Sequence, residues 1–352
     1  MDIEDKTVWQ QAAGDTNRDY VDLCLEWGVI LNGPGYLGPW PKCREPLLAD
    51  GWSKHKLNDL QRFSEEIKDG DIVVLRLGTS SVYGVGVIDG EYEYQANFGD
   101  VDGWDLEHVR RVRWVWQGEK SPKFKTYALK LGDTTQKLNE GEVLEWLRGL
   151  AVSKSDFVAP LLDLPVEKAK EVTIEDMAKF LFEEGVADDS ISNLTKVVGE
   201  LSRIASWYDG KPNPSESETI AYLAVPLLRA LGWTPQKMAI EWNRLDLALF
   251  RALPRGDDSL AVVVEAKQKG RSCLSAFEQA REYAEQEARA GCRKIIVTDG
   301  LRYGIFKRSK KGFQLYAYVN LTRLRSSYPI YKCLGANEGL LAMTPESAIA
   351  EK

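Results

Sequence analysis

The chain has 352 residues, 44 % hydrophobic and 28 % charged, which suggests two or three globular domains of ordinary soluble composition. No apolar run approaches the length of a membrane span, and the acidic, polar start MDIEDKTVWQ does not read as a signal peptide. Five scattered cysteines (Cys24, Cys43, Cys273, Cys292, Cys333), with no C-x-x-C, read as reduced thiols of a cytoplasmic protein, and two histidines, His55 and His108, argue against histidine-rich metal sites. The net charge of −7 is uneven. Residues 156–206 carry 11 acidic and 5 basic side chains, so the remainder is close to neutral. Local basic clusters survive at 108–113 (HVRRVR), 267–271 (KQKGR) and 307–311 (KRSKK), and local potential rather than the total decides contact with phosphate.

Within residues 1–150, the first 116 hold seven of the 11 tryptophans. Segments 71–77 and 82–88 read as a hairpin, with Asp89-Gly90 as a tight turn into a third strand at 91–95. Segments 109–116 and 123–131 add two strands, a spacing that predicts a small barrel. Gly84 and Gly86 inside a strand imply a bulge or a close backbone approach. The stretch Asn32-Gly-Pro-Gly-Tyr-Leu-Gly-Pro-Trp40 forbids regular structure, so Tyr36 and Trp40 are displayed on irregular backbone.

The order GDIVVLRLG, YGVGVI, HVRRVRWVW resembles the PUA-like group that includes EVE domains and the DNA-reading domains of modification-dependent restriction systems, over roughly residues 7–131. The resemblance implies a pocket for one base swung out of its stack, needing aromatic faces and a polar reader of the base edge. Tyr36, Trp40 and Trp104 are the candidate faces and Asn32 the candidate reader, although each aromatic taken singly reads better as core.

Residues 151–212 open at a junction marked by Pro160 and Pro165. Ile174–Leu181 and Ile191–Trp207 then have helical periodicity with acidic exposed faces, read as a helical linker. Residues 213–320 carry the chemistry. A helix from Asn213-Pro-Ser-Glu-Ser-Glu to about Leu231 has one apolar face through Ile220, Leu223, Ala224, Leu227, Leu228 and Leu231, kinked at Pro226. Glu216 extrapolates onto that face, while Ser215 and Glu218 fit a capping box, and either glutamate remains open as an accessory carboxylate. A strand ending near Phe250, a strand over 260–265, a helix over about 274–290, and strands over 294–298, 303–307 and 313–319 follow, predicting a mixed α/β sheet flanked by helices. Residues 321–352 are an unassigned tail.

Asp246 and the triplet Glu265-Ala-Lys267 end two neighbouring apolar runs. Two carboxylates at adjacent strand ends suit Mg²⁺, which takes oxygen ligands and keeps several waters. Residues i and i+2 share a strand face, so Lys267 sits with Glu265, placed to orient or deprotonate water or to offset phosphorane charge. No G-x-x-x-x-G-K-[ST] occurs, so neither ATP use nor translocation is expected.

This pattern resembles the PD-(D/E)xK nucleases, in detail the nuclease domain at the start of type I restriction motor subunits. The resembling blocks are Ser215-Glu-Ser-Glu-Thr219, Pro226-Leu-Leu with Leu-Gly-Trp233, Trp242 with Asp246-x-Ala-Leu-Phe250, Glu265-Ala-Lys267, Gln279-x-x-x-Tyr283 and Thr298-Asp-Gly300, with leucine rather than proline before Asp246. The resemblance implies Asp246 and Glu265 as ligands of Mg²⁺ (or Mn²⁺), Lys267 as helper of the water, and Gln279 and Tyr283 beside the site against DNA backbone. Together the two resemblances imply a cytoplasmic, modification-dependent restriction endonuclease for DNA carrying modified cytosine. It would act as a homodimer because two strands need two sites. An RNA-directed nuclease and a non-catalytic module that binds modified nucleic acid and recruits a partner stand as alternatives.

Overall fold

A computed structural model of the chain describes residues 1–15, 17–118, 122–152, 161–167 and 169–350, the side chains of 349 and 350 excepted. It separates into two units, Met1–Val166 and Glu167–Lys352. Among the described residues no helix is long and apolar enough to cross a membrane.

The first unit contains β1 (Val8–Ala12), a two-residue pair β2 (Gly14–Asp15) and β3 (Arg18–Asp19), α1 (Val21–Trp27), β4 (Val29–Asn32), α2 (Arg44–Ala49) and α3 (Lys54–Gln61). There follow a π-turn at Arg62–Glu66, β5 (Ile72–Leu77), β6 (Ser81–Tyr94), β7 (His108–Gln117), β8 (Thr135–Lys137) and α4 (Glu142–Gly149). The sheet runs β4-β7-β6-β5-β1-β8, with only β1 and β5 parallel. No backbone ladder joins the two end strands among the described residues, yet their side chains meet. Asn32 Nδ2 donates to Thr135 Oγ1 (3.1 Å), Thr135 Oγ1 to Gln11 Oε1 (2.8 Å), and Gln11 Nε2 to the Leu31 carbonyl (2.7 Å). The sheet is therefore curled, its edges joined by buried polar side chains, where the sequence predicted a small barrel.

Two local expectations change. Asp89-Gly90 is not a hairpin turn: β6 runs through it, pairing Ile88 with Val112 and Tyr92 with Arg110, so the intervening residues bulge. The strand expected over 123–131 is a set of turns with Tyr127 at φ 67°, incompatible with extended backbone, and β8 takes its place. Gly86 has a steric reason: a Cβ there would lie 2.3 Å from Val112 Cγ1 and 2.8 Å from the Trp114 ring.

The second unit contains α5 (Ile174–Glu183) and α6 (Asp188–Trp207), then α7 (Glu216–Thr219), a π-turn at Ile220–Ala224 and α8 (Val225–Ala230) as one helical run. The π-turn sits just ahead of Pro226, whose missing N–H and ring disturb the regular helical ladder. After it come β9 (Met238–Trp242), β10 (Leu245–Phe250), β11 (Leu260–Ala266), α9 (Phe277–Ala284), β12 (Lys294–Thr298), β13 (Arg302–Ser309) and β14 (Gly312–Asn320). The unit closes with β15 (Ser327–Tyr328), β16 (Cys333–Leu334), α10 (Ala336–Ala342) and α11 (Pro345–Ala350). The sheet order is β15-β16-β14-β13-β12-β11-β10-β9, parallel at β11/β12 and β14/β16. Every residue of β11 is buried, as a central strand covered on both faces requires. Leu247, Leu249, Val262 and Val264 face the helices α5–α8, while Ala248, Phe250 and Val263 face α9.

The division differs from the expected linker at 151–212 and tail at 321–352. Met177, Leu181, Leu194, Val198 and Leu201 join the same core as Leu227 and Val264. The C-terminal residues supply two strands and two helices, and Lys294 Nζ is buried against Ala342 O, Ser347 O and Ser347 Oγ at 2.9–3.0 Å. Pro160, the other expected junction marker, lies outside the described residues. If α6 is structural, Leu201→Ala should destabilise the second unit by about 2–5 kcal/mol, as for other buried leucine truncations. Urea unfolding should report this, and a loss of only a few tenths would return α6 to the status of a spacer.

Candidate functional site

Strand pairing sets the centre of the site. β10 and β11 are antiparallel with Leu247 opposite Val264, and the same register carried one residue on puts Asp246 opposite Glu265. Directly opposed residues share a sheet face with their Cβ atoms close together. Asp246 Oδ2 accepts from the Ala266 N–H (2.8 Å), which fixes that carboxylate at the end of its strand. Glu265 is 2 % exposed. One of its oxygens, Oε1, accepts from Gln279 Nε2, while Oε2 is buried with no hydrogen-bond partner. The Lys267 N–H donates to the Thr298 carbonyl (2.7 Å), pinning the strand end, and its Nζ lies 3.4 Å from Gln279 Oε1. The Gln279 amide thus sits between the lysine and the buried glutamate.

The electrostatics follow from that geometry. Burial raises the Asp246 carboxyl above its usual range, partly offset by the Ala266 N–H and Lys267. Burial first, then the Asp246 charge, pushes Glu265 up to about 8, with Lys267 pulling it down and Glu216 raising it further. An orphaned carboxylate oxygen beside a second carboxylate is a donor set that fits a hard cation. Among the described residues no group of three or more His, Cys, Asp or Glu side chains gathers as a complete cage. Mg²⁺, which retains water ligands, suits a pair.

Of the remaining expected residues here, Glu218 is occupied by the capping box, its Oε2 accepting from Ser215 N (2.7 Å) and Ser215 Oγ (2.9 Å). Glu216 is exposed and acts on Glu265 by its charge. Tyr283 lies one turn beyond Gln279 and is half-buried against the apolar cluster that includes Trp242 and Phe277. Structure therefore gathers Asp246, Glu265, Lys267 and Gln279 by contact, adds Glu216 by its field, and leaves Tyr283 in the packing under α9.

A second feature lies in the first unit. A cavity of about 380 Å³ is lined by Tyr20, Asn32, Tyr36, Trp52, Lys56 and Trp104, among others. Trp104 is held from behind by the Arg18 guanidinium, 4.5 Å from its ring centroid, and edge-on by Tyr20 at 5.9 Å. The Tyr36 hydroxyl donates to Asp50 and accepts from the Trp52 indole (2.9 Å). The glycine-rich loop is anchored by His108. Its Nε2–H donates to Pro34 O (3.0 Å), its Nδ1 accepts from Tyr92 O–H (2.7 Å), and burial pushes the ring down to about 4, so it is neutral.

Two expectations are corrected here. Trp40 is not on the cavity: it packs with Cys43, Leu47, Leu57 and Leu60, and its indole donates to Glu65 (2.7 Å). Asn32 lines the cavity, but its amide is committed. Nδ2 donates to Asp59 and Thr135, and Oδ1 accepts from Gly33 N and Lys56 Nζ (2.8 and 2.9 Å). Tyr20, Trp52 and Lys56 were missed because they come from elements flanking the loop. The basic run at 108–113 is likewise spent on the fold: Arg110 donates to the Phe63, Ser64 and Ile67 carbonyls, Arg111 to Leu162 O and Arg113 to Asp89.

Folded Glu265 keeps its proton up to about pH 8, whereas an unfolded glutamate releases it near 4.5. Between those values the folded state binds more protons, so this group makes stability fall as pH rises. In chelator-treated protein, Glu265→Gln should therefore gain thermal stability over the wild type progressively from pH 5 to pH 8. A difference that is flat across that range would show that Glu265 is not the strained group.

Residues 40–136 match the model of a domain of unknown function, DUF8426. No curated protein matches the chain. Among solved structures, a fragment described as an HsdR subunit of a type I restriction enzyme from Vibrio vulnificus YJ016 is similar at 19 % identity with a TM-score of 0.24. The match covers 38 % of this chain and 26 % of that one, so the chain spans about a quarter of that chain's length.

Proposed function

We propose that the second unit hydrolyses phosphodiester bonds in DNA with a divalent cation, and that the first unit selects the target by taking up a base, as in modification-dependent restriction. The observation that carries the first half is the opposed Asp246–Glu265 pair, with a buried partnerless carboxylate oxygen and the charge of Lys267 acting on both carboxyls. Asp246 and Glu265 would hold Mg²⁺, or Mn²⁺ in its place, with no role for ATP. When bound, the ion supplies Lewis acidity at the phosphate and lowers the pKa of a water. Lys267 orients that water or offsets the negative charge that grows on the phosphorus oxygens. Gln279 fixes the rotamer of Glu265 through Oε1 and leaves Oε2 for the ion. Glu216 adds a carboxylate acting through water, Glu218 being taken by its cap.

Support for the second half is the cavity of the first unit. Its aromatic rings can replace the stacking that a flipped base loses, and its volume suits one ring rather than a duplex step. A modified cytosine is the proposed base, on the resemblance alone. Two copies acting together would cut both strands.

Incubation with modified duplex DNA, unmodified duplex DNA and RNA, with and without Mg²⁺, tests the whole reading. Modified duplex should be cut only with the cation, and preferential cutting of RNA would redirect the assignment. Asp246→Ala and Lys267→Ala should each slow cleavage about a hundredfold or more while leaving binding to modified DNA intact. Wild-type cleavage by either variant would remove that residue from the mechanism. Trp104→Ala should narrow the preference for modified over plain DNA in a competition assay; an unchanged ratio would take the cavity out of target selection.

A further inference from the structure

Three aromatic rings stand where α6 ends and the α7–α8 run begins. Trp207 is 61 % exposed and Tyr222 52 %. Tyr208 meets Trp207 edge-on at 4.8 Å. Its phenol is raised by lost water and by the charges of Glu218 and Tyr222, which marks those groups as its neighbours. A single exposed ring needs no explanation, but a group of them does.

This corner is stitched to the carboxylate site. Gln268, next to Lys267, donates through Nε2 to the Pro214 carbonyl (2.9 Å), and the Lys269 N–H donates to Thr219 Oγ1 (3.1 Å). Lys269 Nζ lies 3.5 Å from Asp209, two residues after Trp207. Lys211 Nζ lies 4.1 Å over the Trp207 ring and donates to the Trp207 carbonyl (2.7 Å). Rings flanked by ammonium groups beside a phosphodiester site match the chemistry of a nucleic-acid strand, a run of flat bases on a polyanion.

We propose that this corner is a stacking site for one unpaired nucleobase of the strand being cut, with Trp207 as the platform and Lys211 meeting the adjoining phosphate. The proposal rests on the phosphodiesterase reading of the Asp246–Glu265 site. A base inside a duplex has both faces covered, so an exposed ring gains only from a base that is unpaired. Every base has such a face, so the corner senses strand separation rather than sequence.

The test compares full-length wild type, Trp207→Ala and Trp207→Phe on a fluorescein-labelled single-stranded DNA that carries modified cytosine and on the matching modified blunt duplex with Mg²⁺. For Trp207→Ala the KM on the single strand should rise about tenfold with kcat little changed, the duplex KM should move less, and Trp207→Phe should recover part of the loss. An unchanged KM, or an equal shift on both substrates, overturns the proposal. So does a change of oligomeric state in Trp207→Ala by size-exclusion chromatography, since the ring would then serve a second copy. If the wild type cuts neither substrate, the phosphodiesterase reading fails. Anisotropy of the labelled strand in Ca²⁺ then decides the stacking site: about tenfold weaker binding by Trp207→Ala keeps it, and equal or absent binding removes it.

Discussion

Two negative charges that the fold forces together set the terms for the second unit. Asp246 and Glu265 face each other across a strand pair, and like charges at directly opposed positions destabilise a sheet. Nothing in the hydrophobic logic of β11 calls for a carboxylate there. Five buried apolar residues, Leu260–Val264, precede Glu265, and a sixth apolar side chain would extend the core at no electrostatic cost. The protein relieves this conflict only in part. Gln279 donates to one oxygen of Glu265, Lys267 contributes an opposing charge, and the carboxyl retains a proton up to about pH 8. What is left over, one oxygen without a partner, is the kind of deficit that a bound cation makes good.

The surrounding architecture can be understood as the means of keeping that pair in place. β11 is central, its ladder extended by β10 on one side and β12 on the other, so the backbone that carries Glu265 is held from both sides. Helix α9 covers one face of the sheet and delivers Gln279. The helical run from Glu216 lies on the other face and reaches round the strand ends with its charge. The α5–α6 pair buries the outer side of that run. A segment that looks like an acidic spacer is in this way tied to the rigidity of the chemistry.

Legibility in the sequence followed the range of the forces involved. The strand at 294–298 was read to the residue, and β10, β11 and β14 nearly so, because continuous or alternating apolar runs report burial directly. Strand parity alone relates Lys267 to Glu265, whereas the placing of Asp246 opposite Glu265 depends on the register of β10 against β11. For Tyr283, i, i+4 spacing gives the helix face shared with Gln279 but not which part of that face the sheet covers. Trp40 was misread for a related reason: irregular backbone exposes a side chain only if no neighbouring helix claims it, and the apolar residues of α2 and α3 claim this one. The two-residue strands β15 and β16 and the packing of α5 and α6 rest on contacts distant in the chain, which periodicity does not carry.

The first unit shows the same trade between fold and site. Asn32 looks suited to reading a base edge, yet its amide is committed to Thr135, Asp59, the Gly33 N–H and Lys56. Lys56 in turn places its three donors on Asn32, Asp59 and Thr134. Breaking any of these would strand a buried polar group, a cost of order 1–3 kcal/mol that a ligand would have to repay. In the proposed role, selection in this cavity would fall chiefly to the ring faces of Tyr36, Trp52 and Trp104 and to shape. Such a wall discriminates by the size and stacking of what enters rather than by a fixed pattern of hydrogen bonds. Under the proposed base-reading role, a substituent on a base, which alters size and stacking more than the pairing edge, is the feature such a wall would sense.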